Sequence, residues 1–158
     1  MLTFTVFDSQ GSEQSVPEVE SATLFITGET PTAGQVRSEP GRILCVRDGF
    51  ESTGLSLLVD LDQCAGEAGL GRMMLRTCLL PQRDEAYLLS LELARHAIML
   101  CLNKLEEWDL FESAEGDPSM ERFEQGHRLF TQALIAHKSA GRMAEADRLS
   151  KKALALVV

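Results

Sequence analysis

The sequence predicts an α+β fold, in which an N-terminal antiparallel β sandwich or barrel is followed by a three-helix subdomain. Before position 80, short segments of alternating apolar and polar residues are separated by turn residues, and nine of the twelve glycines lie there. After Pro81, apolar residues recur at helical spacing over long stretches. We therefore expect a β-rich, sandwich-like unit over residues 1–80 and a helical subdomain over residues 81–158, packed together as one domain.

Each predicted strand is a short run of apolar residues bounded by turn residues. In the first of them, Leu2, Phe4 and Val6 alternate with threonines, a pattern typical of a half-buried strand. The segments of this kind are residues 2–6, 22–27, 34–37, 43–46, 55–61 and 72–80. Six short strands at this spacing favour a small antiparallel sandwich or barrel.

The first predicted helix begins near Pro81 and Asp84 and runs from residue 85 to about residue 108. Glu85 lies in its first turn, where a negative charge is favourable. The apolar stripe of this segment is wide, with leucines at positions 88, 91, 93, 100 and 102 among others. A helix with so broad an apolar face is expected to be buried against the sheet.

The second and third helices are predicted to form an antiparallel hairpin. Asp117 and Pro118 are typical of a helix N-cap followed by proline at the first helical position. Gly141 is expected to end the second helix, and the third begins at Met143. The residues expected to face inward on the third helix are Ala146, Leu149, Ala153 and Leu156.

The charge balance makes two classes of partner improbable. Fifteen basic and 24 acidic residues give a net charge of -9. Binding to a phosphate backbone or to an anionic membrane surface requires a basic face, so we expect no nucleic-acid and no membrane partner. No apolar run approaches the ~20 residues that span a bilayer. The first residues lack the features of a secretory signal, which predicts a cytoplasmic location.

Neither the cysteines nor the histidines have the spacing of a metal site. Cys45, Cys64, Cys78 and Cys101 form no CxxC pair and are interpreted as packing residues, although disulfides or metal ligation remain alternatives. His127 and His137 are predicted to be ~15 Å apart on one helix, too far to share an ion. We therefore expect neither a metal nor a cofactor.

No catalytic constellation is recognisable in the sequence. Glu106, Glu107 and Asp109 flank an aromatic residue, but neighbours on a helix point in different directions and do not form an acid–base pair. The glycine-rich stretch from Ala65 to Gly71 lacks the lysine of a phosphate-binding loop and precedes a predicted strand. An enzyme is not expected, although a site assembled only in space remains a third possibility.

Two phenylalanines are the candidate ligand contacts in the β-rich unit. Glycan binding uses exposed aromatic rings, and this unit contains neither tyrosine nor tryptophan. Phe4 and Phe25 lie within predicted strands, whereas Phe7 ends a strand and Phe50 follows a turn. We therefore predict that Phe7 and Phe50 are the exposed rings.

Three segments carry a resemblance to a known family. They read RTCLLPQR at residues 76–83, LELAR at residues 91–95 and KLEEWDLF at residues 104–111. These segments, with the opening LTFTVF, resemble the N-terminal region of planctomycete-type family 10 glycoside hydrolases, which are xylanase-like. In that family the region precedes the catalytic (β/α)8 barrel, which holds both catalytic glutamates. The resemblance therefore implies either a fragment of such a hydrolase or a stand-alone relative of its accessory region. Glycoside hydrolase activity is expected only of a longer protein, and the resemblance assigns no catalytic residue to this chain.

Two functions follow as expectations. The resemblance implies a non-catalytic accessory module of a xylanase-like system, which packs against a catalytic barrel or helps to bind polysaccharide. The alternative is a protein-interaction or homodimerisation module that uses the C-terminal hairpin, with Leu149 and Leu156 on its interaction face. Residues 141–156 resemble the second half of a tetratricopeptide repeat, but no second copy is found at the 34-residue period. An ordinary helical hairpin is the other interpretation.

Overall fold

A computed structural model describes residues 1–19, 21–65, 69–109 and 117–158. The strands are β1 (Leu2–Thr5), β2 (Thr23–Ile26), β3 (Thr30–Thr32), β4 (Gln35–Glu39), β5 (Arg42–Val46), β6 (Gly54–Asp60), β7 (Arg72–Arg76) and β8 (Tyr87–Leu88). The helices are α1 (Leu61–Ala65), α2 (Leu89–Glu107), α3 (Pro118–His137) and α4 (Met143–Val157). The predicted α+β class and the order of strands before helices are confirmed.

The strands form two four-stranded sheets rather than a closed barrel. The first sheet has the order β4-β5-β1-β8, and the second has the order β3-β2-β6-β7. All pairs are antiparallel except β1 with β8, which is parallel. In that pair, Phe4 lies opposite Tyr87 and the two ring centroids are 6.1 Å apart.

Six predicted strands are present, with shifted ends, and two further strands were not predicted. Residues 28–33 separate the second and third predicted strands, and this segment holds the end of a short 3-10 turn and then β3. Residues 87–88 form β8, so the helix predicted from Glu85 begins instead at Leu89. The prediction of a helix start at Pro81 and Asp84 was wrong, because Tyr87 and Leu88 complete the first sheet beside β1.

The hairpin of α3 and α4 has the predicted cap and nearly the predicted bounds. The Asp117 side chain accepts a hydrogen bond from the Ser119 N–H, and Pro118 is the first helical residue. Helix α3 ends at His137, and Gly141 lies in the following turn with φ of 75°. Helix α4 begins at Met143 as expected. Residues 66–68 of the glycine-rich stretch and residues 110–111 of the third resembling segment lie outside the described residues.

Both halves of the chain contribute to one cluster of buried apolar residues. Leu2, Phe4 and Ile43 come from the first sheet, and Leu55 and Leu57 come from the second. The helices add members that include Leu91, Ala94, Ile98, Phe130, Ala133, Ala146, Ala153 and Leu154. Helix α4 also packs on α1, α2 and α3. The core is therefore continuous from the strands to the C-terminal helices.

Candidate functional site

The loop between β5 and β6, residues 47–53, presents an aromatic ring to solvent. The Phe50 side chain is 98% exposed, the highest value among the large hydrophobic residues that the structure describes. Phe4, Phe7 and Phe25, the other phenylalanines of the β-rich half, are buried. Because full exposure of a large apolar ring is unfavourable in water, a ring in this position is a candidate contact with another molecule.

Arg47 braces this loop from inside. Its guanidinium donates to the Asp48 carbonyl at 3.1 Å, to the Thr53 hydroxyl at 3.0 Å and to the Glu51 carboxylate at 3.1 Å. The Arg47 side chain is 8% exposed, so its charge is held largely within the loop. The three bonds tie together both sides of the turn that carries Phe50.

A second brace comes from the segment before β8. The Gln82 side-chain amide donates to the Gly49 carbonyl at 2.7 Å, and the N-terminal ammonium of Met1 donates to the Gln82 side-chain oxygen at 2.6 Å. The φ of Gly49 is 110°, a conformation that side chains rarely adopt, so a glycine is required in this turn. The loop is therefore fixed before any partner arrives, which lowers the entropy cost of binding.

The other predicted ring is not exposed. Phe7 is 6% exposed and belongs to the apolar core, so the prediction of an exposed ring at this position was wrong. It lies just beyond the end of β1, where the chain turns under α4, and the Lys151 ammonium donates to the Phe7 carbonyl at 2.6 Å. Phe50 alone of the two predicted rings is available to an external ligand.

The two leucines predicted to form an interaction face are half-buried. Leu149 packs against the apolar core of the same chain. Leu156 lies beside Trp108 and Phe123 at the end of the hairpin, where they line a shallow groove. Leu149 is therefore committed in part to internal packing, and the homodimer that it was expected to support stays a prediction.

A buried ionic network joins α2, α4 and the segment after β1. The Ser90 hydroxyl donates to Asp147 Oδ1 at 2.7 Å, and Lys151 Nζ lies 2.8 Å from Asp147 Oδ2. Lys151 also donates to the carbonyls of Phe7 and Asp8 at 2.6 and 3.1 Å. Burial raises the pKa of Asp147, while Lys151 and Ser90 act in the opposite direction. With its donors engaged, Lys151 serves as a tether between elements rather than as a nucleophile.

This network lies on the wall of a cavity of about 460 Å³ between β6, α2 and the segment after β1. The cavity is lined partly by Leu57, Val59 and Leu93, with Cys64 at its rim. Burial raises the pKa of the Cys64 thiol to about 11, which keeps it protonated and weakly nucleophilic at neutral pH. No local sequence pattern indicates this cavity, because Ser90 and Asp147 are 57 positions apart.

Glu92 is a second buried carboxylate, on the first turns of α2. Its side chain is 7% exposed, and Oε2 lies 3.0 Å from Arg95 Nε. The N–H does not point at this oxygen, and no other hydrogen-bond partner is found for it among the described residues. Its ion pair with Arg95 compensates part of the cost of burial.

The cysteines are free thiols in the structure, with Cys45 buried and the others half-buried. Burial raises the pKa of Cys45 to about 12, as is typical of a packing residue. Within the part of the chain that is described, no three metal-ligating side chains come together. No helix in the same part is long and apolar enough to cross a membrane.

Comparison with known proteins provides no relative for this chain. No family model matches it, and neither a curated protein nor a solved structure is significantly similar. The indications of function therefore come from the fold itself, where Phe50 is the most exposed large apolar side chain among the described residues.

Proposed function

We propose that this chain is a non-catalytic accessory module that anchors a partner protein through Phe50. The observation that carries the proposal is a fully exposed ring on a loop held by four hydrogen bonds from the side chains of Arg47 and Gln82. Burying a phenylalanine side chain contributes about 1.5–3 kcal/mol. Because the loop is already fixed, most of this free energy is available for binding.

The shape of the surface favours a protein pocket over a flat sugar. Phe50 lies in the middle of the loop and is 98% exposed, whereas the other phenylalanines of the β-rich half are buried. A single projecting ring fits the anchor residues of protein interfaces, which insert aromatic side chains into pockets of the partner. Glycan sites instead use rings as platforms for sugar faces, so assistance in polysaccharide binding is the weaker form of the same proposal.

The partner we propose is the catalytic barrel of a xylanase-like glycoside hydrolase system. The support for this identity is the resemblance of residues 76–83, 91–95 and 104–111 to the region that precedes such barrels. The segment at residues 76–83 contains Gln82, which braces the Phe50 loop. We also propose that the two sheets face each other as an antiparallel sandwich, since apolar residues of both belong to one core.

The test compares two exposed apolar residues. Binding of this chain to a separately produced family 10 catalytic barrel is measured by biolayer interferometry. We expect Phe50→Ser to weaken binding about ten- to a hundredfold, the effect of losing one buried ring. Ile135→Ser, which changes a 59% exposed residue on α3, is the matched control and is expected to bind normally. Both variants should unfold at the wild-type denaturant midpoint.

Other outcomes separate the competing functions. Equal binding by wild type and Phe50→Ser would refute the anchor. Retention on insoluble xylan that is lost in Phe50→Ser would favour direct glycan binding. A concentration-dependent mass in sedimentation, abolished by Leu156→Asp in a folded variant, would favour the homodimer. Turnover of a xylo-oligosaccharide by this chain alone would contradict a non-catalytic role.

A further inference from the structure

Strand β7 forms one edge of the second sheet. It pairs with β6 over its whole length, with Met74 opposite Leu58 at the centre. No strand lies on its other side among the described residues. An edge of this kind presents backbone groups that can pair with another chain.

The hydrogen bonds that flank β7 determine which of its residues point outward. The Thr77 N–H donates to the Leu55 carbonyl, and the Leu61 N–H donates to the Gly71 carbonyl, both at 2.9 Å. In an antiparallel pair, residues alternate between bonding to the partner strand and pointing away from it. Since positions 71 and 77 bond to β6, the N–H and C=O groups of Arg72, Met74 and Arg76 point away from the sheet.

The other sheet edges carry features that discourage pairing. Pro31 in β3 has no N–H. The exposed side chains of β4, at Gln35, Arg37 and Glu39, are all polar, so that edge offers no apolar contact to an added strand. Strand β8 has two residues. Strand β7 has five residues without proline or lysine, and its two methionines, Met73 and Met74, are 42% and 49% exposed. Among these edges, β7 is therefore the one suited to accept a strand.

Charged side chains flank the apolar centre of this edge. The Arg72 guanidinium lies 2.8 Å from the Glu18 carboxylate, and Arg76 pairs with Glu29. Both ion pairs are exposed and use one terminal nitrogen of each guanidinium. Exposed pairs contribute little to stability, and an arginine has five N–H donors. The Arg76 guanidinium reaches across β6 to Glu29 and lies beside the Phe25 ring. A carboxylate of an incoming strand therefore competes with a weak exposed pair for each arginine.

We propose that β7 binds an extended segment of a partner protein as a further antiparallel strand. An apolar residue of that segment lies opposite Met74, and acidic residues lie opposite Arg72 and Arg76. A second copy of β7 is a poor occupant, because the register with full overlap sets each Arg72 against an Arg76, and like charges directly opposite are destabilising. This strand-addition site does not depend on Phe50.

The probe is a fluorescent peptide, Thr-Glu-Val-Leu-Val-Glu-Thr, whose binding to the full chain is measured by anisotropy. In the proposed register its central leucine exchanges both backbone hydrogen bonds with Met74, whereas the N–H groups of both valines point away. We expect N-methylation of the leucine to weaken binding about tenfold or more, and N-methylation of the first valine to change it less than about threefold.

Charge exchange tests the side-chain part of the proposal. Replacing both glutamates of the peptide by lysine is expected to weaken binding to the wild-type chain about tenfold. The double variant Arg72→Glu/Arg76→Glu is expected to prefer the lysine peptide instead. Thermal unfolding followed by circular dichroism shows whether the double variant is folded. If it is not, binding of the N-methylated peptides to the wild-type chain still tests the proposal.

Several results would overturn the inference. These are absence of binding, equal effects of the two N-methyl groups, which indicate nonspecific apolar contact, and self-association through β7 in sedimentation. Phe50→Ser is expected to bind the peptide like the wild-type chain. Loss of peptide binding in that variant would show that the two surfaces are not independent, and would also overturn the proposal.

Discussion

Asp147 is a buried carboxylate whose charge is compensated by neighbouring side chains. It is 3% exposed, and burial raises the pKa of its carboxyl group. Lys151 and Ser90 supply the opposite charge and a hydrogen bond. A buried ion pair contributes little compared with an apolar pair of the same shape, but removing one partner leaves a charge without compensation. The pair therefore acts mainly to hold α4 against α2 and the segment after β1.

Asp147→Asn is expected to lower the free energy of unfolding by about 2 kcal/mol, because the Lys151 ammonium loses its counter-ion but keeps two carbonyl acceptors. Urea denaturation measures the change. The matched control is Glu145→Gln, which breaks an exposed ion pair with Arg142 on the same helix. That variant should shift the midpoint much less than Asp147→Asn, because the pair is exposed to water. Equal midpoints for both variants would show that the buried network is not a tether.

Asp62 gives a prediction about pH. Its Oδ1 accepts hydrogen bonds from the backbone N–H groups of Gly71, Leu70 and Gly69 at 3.0, 2.7 and 3.0 Å, which lower the pKa of the carboxyl group below its ordinary value of 3.8. A lowered pKa in the folded state contributes stability above pH 3.8, and this contribution is lost as the pH falls through the folded pKa.

Asp62→Ala is therefore expected to melt at a lower temperature than the wild-type chain at pH 7. The difference between the two melting temperatures should narrow as the pH falls below 3.8. Thermal unfolding followed by circular dichroism from pH 7 to pH 2.5 measures it. A constant difference over this range would mean that the carboxylate charge plays no part in holding the turn before β7.

At the scale of the elements, the pairing of β2 with β6 depends on a glycine. Phe25 lies opposite Gly54 in the register, and its ring covers the glycine. The Arg76 guanidinium lies 5.8 Å from the centroid of the same ring. A Cβ atom at position 54 would overlap the ring, so the absence of a side chain there is what allows Phe25 to pack across the strand.

Gly54→Ala is expected to destabilise the chain by about 2 kcal/mol, because relief of the overlap requires Phe25 to leave its rotamer or the strands to separate. Urea denaturation is again the measurement. In a Phe25→Val background the smaller side chain leaves room for the methyl group, so the same substitution should cost much less. Equal costs in the two backgrounds would contradict steric conflict with the ring.

The elements that were predicted wrongly are those whose structure depends on pairing with a strand distant in the sequence. Tyr87 and Leu88 continue directly into α2, and nothing in their local pattern distinguishes them from its first turn. They are a strand because β1 lies beside them. By contrast, the N-cap at Asp117 depends on neighbouring residues and was predicted correctly.

At the scale of the whole molecule, the boundary near Pro81 separates two compositions but not two cores. Buried apolar residues of both halves belong to one cluster, and β8 from the second half completes the first sheet. Phe4 would lose the contact with Tyr87 if the chain ended before it. We infer that neither half provides enough buried apolar surface to fold without the other.

A fragment of residues 1–80 is therefore expected to show no cooperative unfolding transition and little chemical-shift dispersion in an amide spectrum. The 158-residue chain, which keeps β8 and α2, should show both. A sigmoidal urea transition of the fragment, with the same midpoint by circular dichroism and by amide chemical shifts, would establish residues 1–80 as an independent domain.

The candidate sites differ in how far they could be predicted, because some depend on neighbouring residues and others on distant segments. Phe50 follows the Asp48-Gly49 turn, and a turn is expected to lie at the surface, so its exposure could be inferred from its neighbours. Phe7 has a similar position at a strand end, yet the segment after β1 passes under α4, and its ring is buried. The Asp147 network and the edge position of β7 depend on how distant segments are arranged, so no local pattern in the sequence indicates them.

Local sequence patterns were sufficient to predict the α+β class, the order of strands and helices, the position of most strands and the hairpin of α3 and α4. These features depend on local periodicity, turn residues and capping, which act over a few positions. The tertiary structure alone decided that Tyr87 and Leu88 form a strand, that Phe7 is buried and that β7 is an edge. The physical reason is that pairing and burial depend on which segments meet in space, such as Phe4 with Tyr87 or Ser90 with Asp147.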